Sequence, residues 1–184
     1  MPHPLEFLPP TVRKPFFYFF LALTLIVFGI FSQLDKPLKL DESLRKIMPC
    51  GVVSFEVAGD VDSAQRMVNS LKANEQALLS ITFGLGFDYL FMPVYALALS
   101  LGLLLARGEH LSRYYSLANF MGWGAFAATL FDATENYALW HTLTLNAVSP
   151  YPQLAAVCAT IKFGLLIVGL VTAVAATVYK RFHK

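Results

Sequence analysis

Long apolar runs broken by short polar stretches dominate the 184-residue chain. They cover roughly 15–32, 78–105, 117–140 and 154–178. Crossing the hydrocarbon of a bilayer takes about 20 helical residues, so the pattern predicts four transmembrane helices in one all-α bundle. The first run, PFFYFFLALTLIVFGIFS, is free of charge and follows Arg13 and Lys14. A signal peptide shares that charge pattern. No A-x-A-like cleavage site follows, however, and the apolar stretch exceeds a usual h-region, so a retained anchor is expected. Residues 33–77 form the one stretch predicted to lie outside the hydrocarbon, as a short amphipathic external segment. Within it, Asp62 followed by Gln65 resembles a capping box, and Ala64, Met67, Val68 and Leu71 share one helical face, predicting a helix over 63–72. The preceding CGVVSFEVAG reads as helical or extended, with Gly59 as a stop. The segment is expected to cover the outer end of the bundle; its alternative role is a lid over an outward-opening pocket.

Composition agrees with a membrane protein, since 57% hydrophobic residues and a mean hydropathy of +0.57 fall outside the usual soluble range. The net charge of +2 reports topology. Arg13 and Lys14, Arg107 and Arg113, and Lys180, Arg181 and Lys184 flank the runs on what becomes one side if four helices alternate, whereas 141–153 carries no Lys or Arg. The positive-inside rule then places both termini in the cytoplasm, in the inner (plasma) membrane. Tyr114, Tyr115 and Tyr179 fall at predicted inner ends, and Trp140 and Tyr151 at outer ends, as an aromatic belt requires. No arginine-rich stripe marks a nucleic-acid partner, and the chain lacks C-x-x-C, H-E-x-x-H, G-x-G-x-x-G and Walker patterns. Cys50 lies in the external segment and Cys158 inside the last run, so no disulfide is expected. No cofactor is expected either.

The charges inside the runs are the most specific feature. Asp88 sits about ten residues into the second run, ~15 Å at 1.5 Å per residue. Asp132 and Glu135 lie close to the outer end of the third run, and Lys162 a short way below the start of the fourth. All four share the outer half of the bilayer. A charge facing lipid at such depth costs ~2.5–3.5 kcal/mol even on the lenient scale, so these groups are expected to turn inward. Asp132, Glu135 and Asn136 are i, i+3 and i+4 on a face that continues through Ala128 and Ala125. Asp88 and Tyr95 share a stripe on the second helix, with Pro93 between them removing the donor to the Tyr89 carbonyl. Three acids and one lysine cannot all pair one to one, so a proton, water, a cation or a cationic ligand must supply the balance. The predicted cluster is therefore Asp88, Asp132, Glu135, Asn136 and Lys162, with Tyr95 beside it. It serves either as a brace that fixes helix register or as a pocket for a small amphiphilic or cationic molecule. Proton- or ion-coupled transport and intramembrane acid/base catalysis are the further alternatives, and no catalytic residue is assigned. A metal is not expected, because Glu-x-x-His motifs are absent. Besides the bilayer itself, association of several chains is compatible with the glycines of the third and fourth runs.

The combination PCGVVSFEVAG, AQRMV, GFDYLFMPVYALAL, LFDATEN and PQLAAVCATIKFGLL resembles a family of small bacterial four-helix integral membrane proteins of unknown function. The resemblance covers roughly 47–175 and implies emphasis on Gly51, Glu56, Asp88, Pro93, Tyr95, Asp132, Glu135, Asn136 and Lys162. It brings no activity with it. The acid-then-proline order of FDYLFMP and the long first external loop are also similar to the emopamil-binding and sigma-2-receptor group. That analogy implies recognition of amphiphilic amines or sterols by intramembrane acids.

Overall fold

The computed structural model describes residues 1–107 and 112–182, the side chains of 112–114 excepted. The side chains of Arg113 and Tyr114, and Lys184, all used above for topology, lie outside the described residues. Among the described residues every regular element is helical: α1 (Pro10–Leu34), α2 (Lys36–Leu40), α3 (Glu42–Ile47), α4 (Val52–Glu56), α5 (Val61–Lys72), α6 (Glu75–Ala106), α7 (Ser112–Thr144) and α8 (Tyr151–Phe182). The fold class is all-α. At 1.5 Å per residue the 32 residues of α6 or α8 extend about 48 Å, which exceeds the hydrocarbon thickness.

Three helical stretches are both long and apolar enough to cross a membrane: Pro10–Leu40, Glu75–Ala106 and Tyr151–Phe182. The expected fourth, over 117–140, forms as α7 and is the longest helix at 33 residues, yet it is too polar to qualify by composition. Asn119, Asp132, Glu135 and Asn136 cause the shortfall, and all four are buried. The apolar surface of α1 is instead largely open, with Tyr18, Phe19, Leu25, Ile26 and Phe28 each more than half exposed. An apolar rim of that kind suits a lipid solvent.

The described chain falls into two compact units, each fed by the same long helices. The first comprises Met1–Leu25, Met92–Leu130 and the chain from Lys162 onward. Its interior is built from small-to-large contacts, with Leu103, Ala118 and Met121 packed beside Leu99 and Ala173. Gly169 leaves room for Leu99, whose side chain would lie 3.1 Å from an added methyl. Small residues here allow helices to approach closely, the usual device where lipid supplies no hydrophobic contrast.

The second unit comprises Ile26–Phe91 and Phe131–Ile161. Here α2 to α5 form a cap whose Leu38, Leu44, Met48, Phe55, Val68 and Leu71 share one core with Ile81 and Leu85 of α6, Leu139 and Leu143 of α7, and Ala155 of α8. Burying each such side chain contributes about 1.5–3 kcal/mol. The cap thus covers the ends of three helices. Its connections are polar and specific. Asp41 is the N-cap of α3, accepting from the Ser43 and Leu44 amides at 2.9 and 3.1 Å. It also accepts from the Asn74 side chain at 2.7 Å, and Asn74 in turn accepts from the Ala77 amide at the start of α6. Hydrogen bonds to its carboxylate, first from the Ser43 hydroxyl and then from the Leu44 amide, the Asn74 side chain and the Ser43 amide, hold Asp41 down at about 2. Gly51 takes a φ of 62° and lies against the Asp35 carboxylate, where a side chain would collide; Asp35 accepts from the Val52 amide at 2.9 Å.

The ambiguous stretch before Gly59 proves helical over Val52–Glu56, and Gly59 turns the chain at a φ of 72°. The predicted amphipathic helix forms as α5, with Ala64, Met67, Val68 and Leu71 buried as expected. Its cap differs from the expected one. Asp60, with extended backbone, accepts from the Ser63 amide, so α5 starts two residues earlier than the Asp62–Gln65 box implied. Two overlapping acid-x-x-polar spacings compete there, and the point where the chain leaves the extended conformation decides between them.

Candidate functional site

Positions 132, 135, 136, 139, 142 and 143 are buried while Leu130, Tyr137 and Trp140 are exposed, so α7 presents one continuous face to the protein. The periodicity of the helix alone puts Asp132, Glu135 and Asn136 on that face. Their exposures are 2%, 0% and 3%. Asn136 Nδ2 donates to Asp88 Oδ2 at 2.8 Å and lies 3.4 Å from the Leu85 carbonyl oxygen. One side chain of α7 is therefore keyed to one turn of α6. Asp88 itself is only partly buried.

Tyr89 adds a second link that the sequence reading did not single out. Its hydroxyl donates to the Ala133 carbonyl at 3.3 Å. The only sequence signal was its place beside Asp88 in FDY, which is shared by many interfacial tyrosines. On the other side of the acids, Leu85, Ala138 and Leu139 are one turn away and already belong to the apolar core under the cap. The carboxylates thus abut an apolar layer. Beyond it, His141 stacks on Tyr151 at 4.8 Å and meets Tyr137 edge-on at 4.4 Å.

Lys162 and Tyr95, the remaining predicted members, belong to the first compact unit. Both are buried there, at 5% and 8% exposure, and Lys162 Nζ lies 4.7 Å from the centre of the Phe163 ring. Every predicted site residue except Asp88 is therefore at least nine-tenths buried. Among them, Asn136 is hydrogen-bonded to Asp88.

A groove of about 350 Å³ opens in the second unit between the Gly59 turn and the first turns of α8, lined by Gln153, Ala156, Val157, Thr160 and Ile161. Its wall repeats at 153, 156, 157, 160 and 161, one stripe of α8, and none of the acids lines it. Among the described residues no group of three or more His, Cys, Asp or Glu side chains is placed to hold a metal ion.

Chemically, the arrangement offers carboxylates in a low-dielectric surrounding, one of them receiving a neutral amide. Such groups interact strongly with a cation, because charge–charge energies rise as the local dielectric falls. Comparison of the chain with protein-family models, curated proteins and solved structures returns no match.

Proposed function

We propose that this chain is a four-helix protein of the inner membrane, both termini cytoplasmic, that binds a small amphiphilic cation through the acids of α7. α1, α6 and α8 supply three spans, and α7 is the fourth, its polar face sheltered by its neighbours. The observation that carries the reading is the burial of Asp132 and Glu135 to 2% and 0% exposure on one face of α7, with Asp88 a further carboxylate in the same unit. The apolar runs 15–32, 78–105, 117–140 and 154–178 hold three acids and a single lysine, an excess of negative charge that attracts a cation. An amphiphilic ammonium supplies the charge from a headgroup and leaves its tail in lipid. The resemblance to small four-helix membrane proteins supports the architecture only, and the analogy with amine-binding membrane proteins supports the class of ligand.

Native mass spectrometry of the gently extracted protein tests this. An adduct retained by the wild type and lost in Asp132→Asn with Glu135→Gln supports the pocket. Identical spectra of the bare chain in both would sink it.

A second reading is favoured by the Asn136–Asp88 hydrogen bond, which joins α6 and α7 without a ligand. In that reading the cluster is a brace. It predicts that the double variant loses thermal stability and that no bound molecule is found in any preparation.

A further inference from the structure

The residues ahead of α1 do not trail into solvent but fold back into the first unit. Leu5 is 6% exposed and packs with Leu101 and Leu104 of α6. Three side chains of the bundle hold this strap by its backbone and by Glu6. Asn119 donates to the Met1 carbonyl at 3.1 Å, and the Trp123 indole N–H donates to the Pro2 carbonyl at 3.0 Å. Arg107 pairs with Glu6 Oε1 at 2.7 Å and donates its other terminal nitrogen to Asn119 at 2.6 Å. Arg13 ties the Leu8 and Glu6 carbonyls, each at 2.9 Å.

His3 sits at the centre of these contacts, 3% exposed. Its ring fills a notch made by Gly122, where an added methyl group would collide with the imidazole. Nδ1 accepts from the Leu5 amide at 3.2 Å, which requires the neutral ring. Nε2 is buried on the Ser100 side of α6 and makes no well-formed hydrogen bond.

We propose that the strap of residues 1–9 is a proton-released latch: it seats while His3 is neutral and leaves the Gly122 notch when His3 is protonated. A proton on Nδ1 removes the acceptor of the Leu5 amide and creates a buried cation. The charged groups facing it are Glu6 from the strap, Arg13 from α1 and Arg107 at the end of α6; α7 contributes Asn119, Gly122 and Trp123, none of which titrates in this range. Glu6 and, more weakly, the Ser100 backbone favour the imidazolium, and Glu6 is already engaged by Arg107. Burial, then Arg107, lowers His3 from 6.5 to about 4. The seated form binds the proton more weakly, so seating is strongest above pH 6.5 and weakens as pH falls toward 4. Linkage over that range reduces the seating constant roughly 30-fold at pH 5 relative to pH 8. Release uncovers Arg107, Asn119 and the notch at that end of α6 and α7.

Trp123 is a natural reporter, because its indole hydrogen bond is to the strap. In a Trp140→Phe background it is the sole tryptophan, the chain having two. Emission and acrylamide quenching of the full chain in lipid nanodiscs, with any tag at the C-terminus, are followed from pH 8 to pH 4. A reversible transition with its midpoint between pH 6.5 and 4 is expected, together with a flat profile for His3→Gln. Gly122→Ala should show the released signal already at pH 8. A wild-type signal that does not change with pH, a transition that survives in His3→Gln, or a seated signal in Gly122→Ala would each overturn the proposal.

Discussion

A single amide decides how α6 and α7 meet at the acids. Asn136 donates to an ionisable partner, and hydrogen bonds to charged groups contribute about 1.5–3 kcal/mol. Asn136→Leu should therefore lower stability by roughly that amount, read as a shift in the denaturation midpoint in detergent micelles. Asp88→Leu on top of it should cost much less than Asp88→Leu alone, because both changes break the same contact. Additive losses in that double-mutant cycle would remove Asn136–Asp88 as the link. The shared face of Asp132, Glu135 and Asn136 was legible from spacing, because a helix repeats every 3.6 residues whatever surrounds it. The partner of Asn136 was not. Nor was the seating of His3, which depends on Gly122, Asn119 and Trp123 arriving from more than a hundred residues away. Local pattern carries no information about which distant backbone will receive a donor.

At the level of elements, the sequence foretold the long helices and the amphipathic α5, whose apolar stripe is buried as its period requires. Ends and short helices were less readable, since α2 to α4 are five or six residues each and gain stability from packing, not propensity. The cap they form hangs on Asp41, which joins the start of α3 to the start of α6 through Asn74. Its folded-state acidity is raised, to about 2 from 3.8. The bonds to its carboxylate therefore stabilise the cap above pH 3.8 and are lost as pH falls toward 2. Asp41→Ala should loosen the cap at neutral pH, seen as faster hydrogen exchange in 36–56 with α7 and α8 unchanged. Acidification should reproduce that pattern in the wild type and add nothing in the variant. α7 poses the opposite problem, being long but too polar to qualify as a span by composition. Its acids each cost ~2.5–3.5 kcal/mol if they face lipid, so α7 should insert only alongside its neighbours. In a translocon insertion assay the isolated α7 segment should stay largely uninserted, and Asp132→Leu with Glu135→Leu should convert it to an efficient span. Efficient insertion of the wild-type segment would show that its acids need no shelter.

For the molecule as a whole, the number of crossings fixes where everything acts. Three spans would leave the ends of the chain on opposite sides of the membrane, and four bring them to the same side. The basic flanks argue for four: Arg13 and Lys14 lie near the start of α1 ahead of its apolar run, Arg107 follows α6, and Lys180 and Arg181 close α8, while the turn between α7 and α8 has neither Lys nor Arg. If α7 does cross, hydropathy alone undercounts for a physical reason. A helix that buries its polar face among other helices no longer has to be apolar all round, so the side chains that give α7 its chemistry also erase its signal. Fusing a periplasm-active phosphatase and a cytoplasm-active fluorescent protein at 59, 148 and 182 separates the cases. Four spans predict phosphatase activity at 59 and 148 and fluorescence at 182. Three spans, with α7 excluded, predict phosphatase activity at 182, fluorescence at 148 and acids that never enter the bilayer. That second outcome would leave Asp132 and Glu135 buried in protein beside water, where a carboxylate surplus needs neither a cation nor a proton from the membrane.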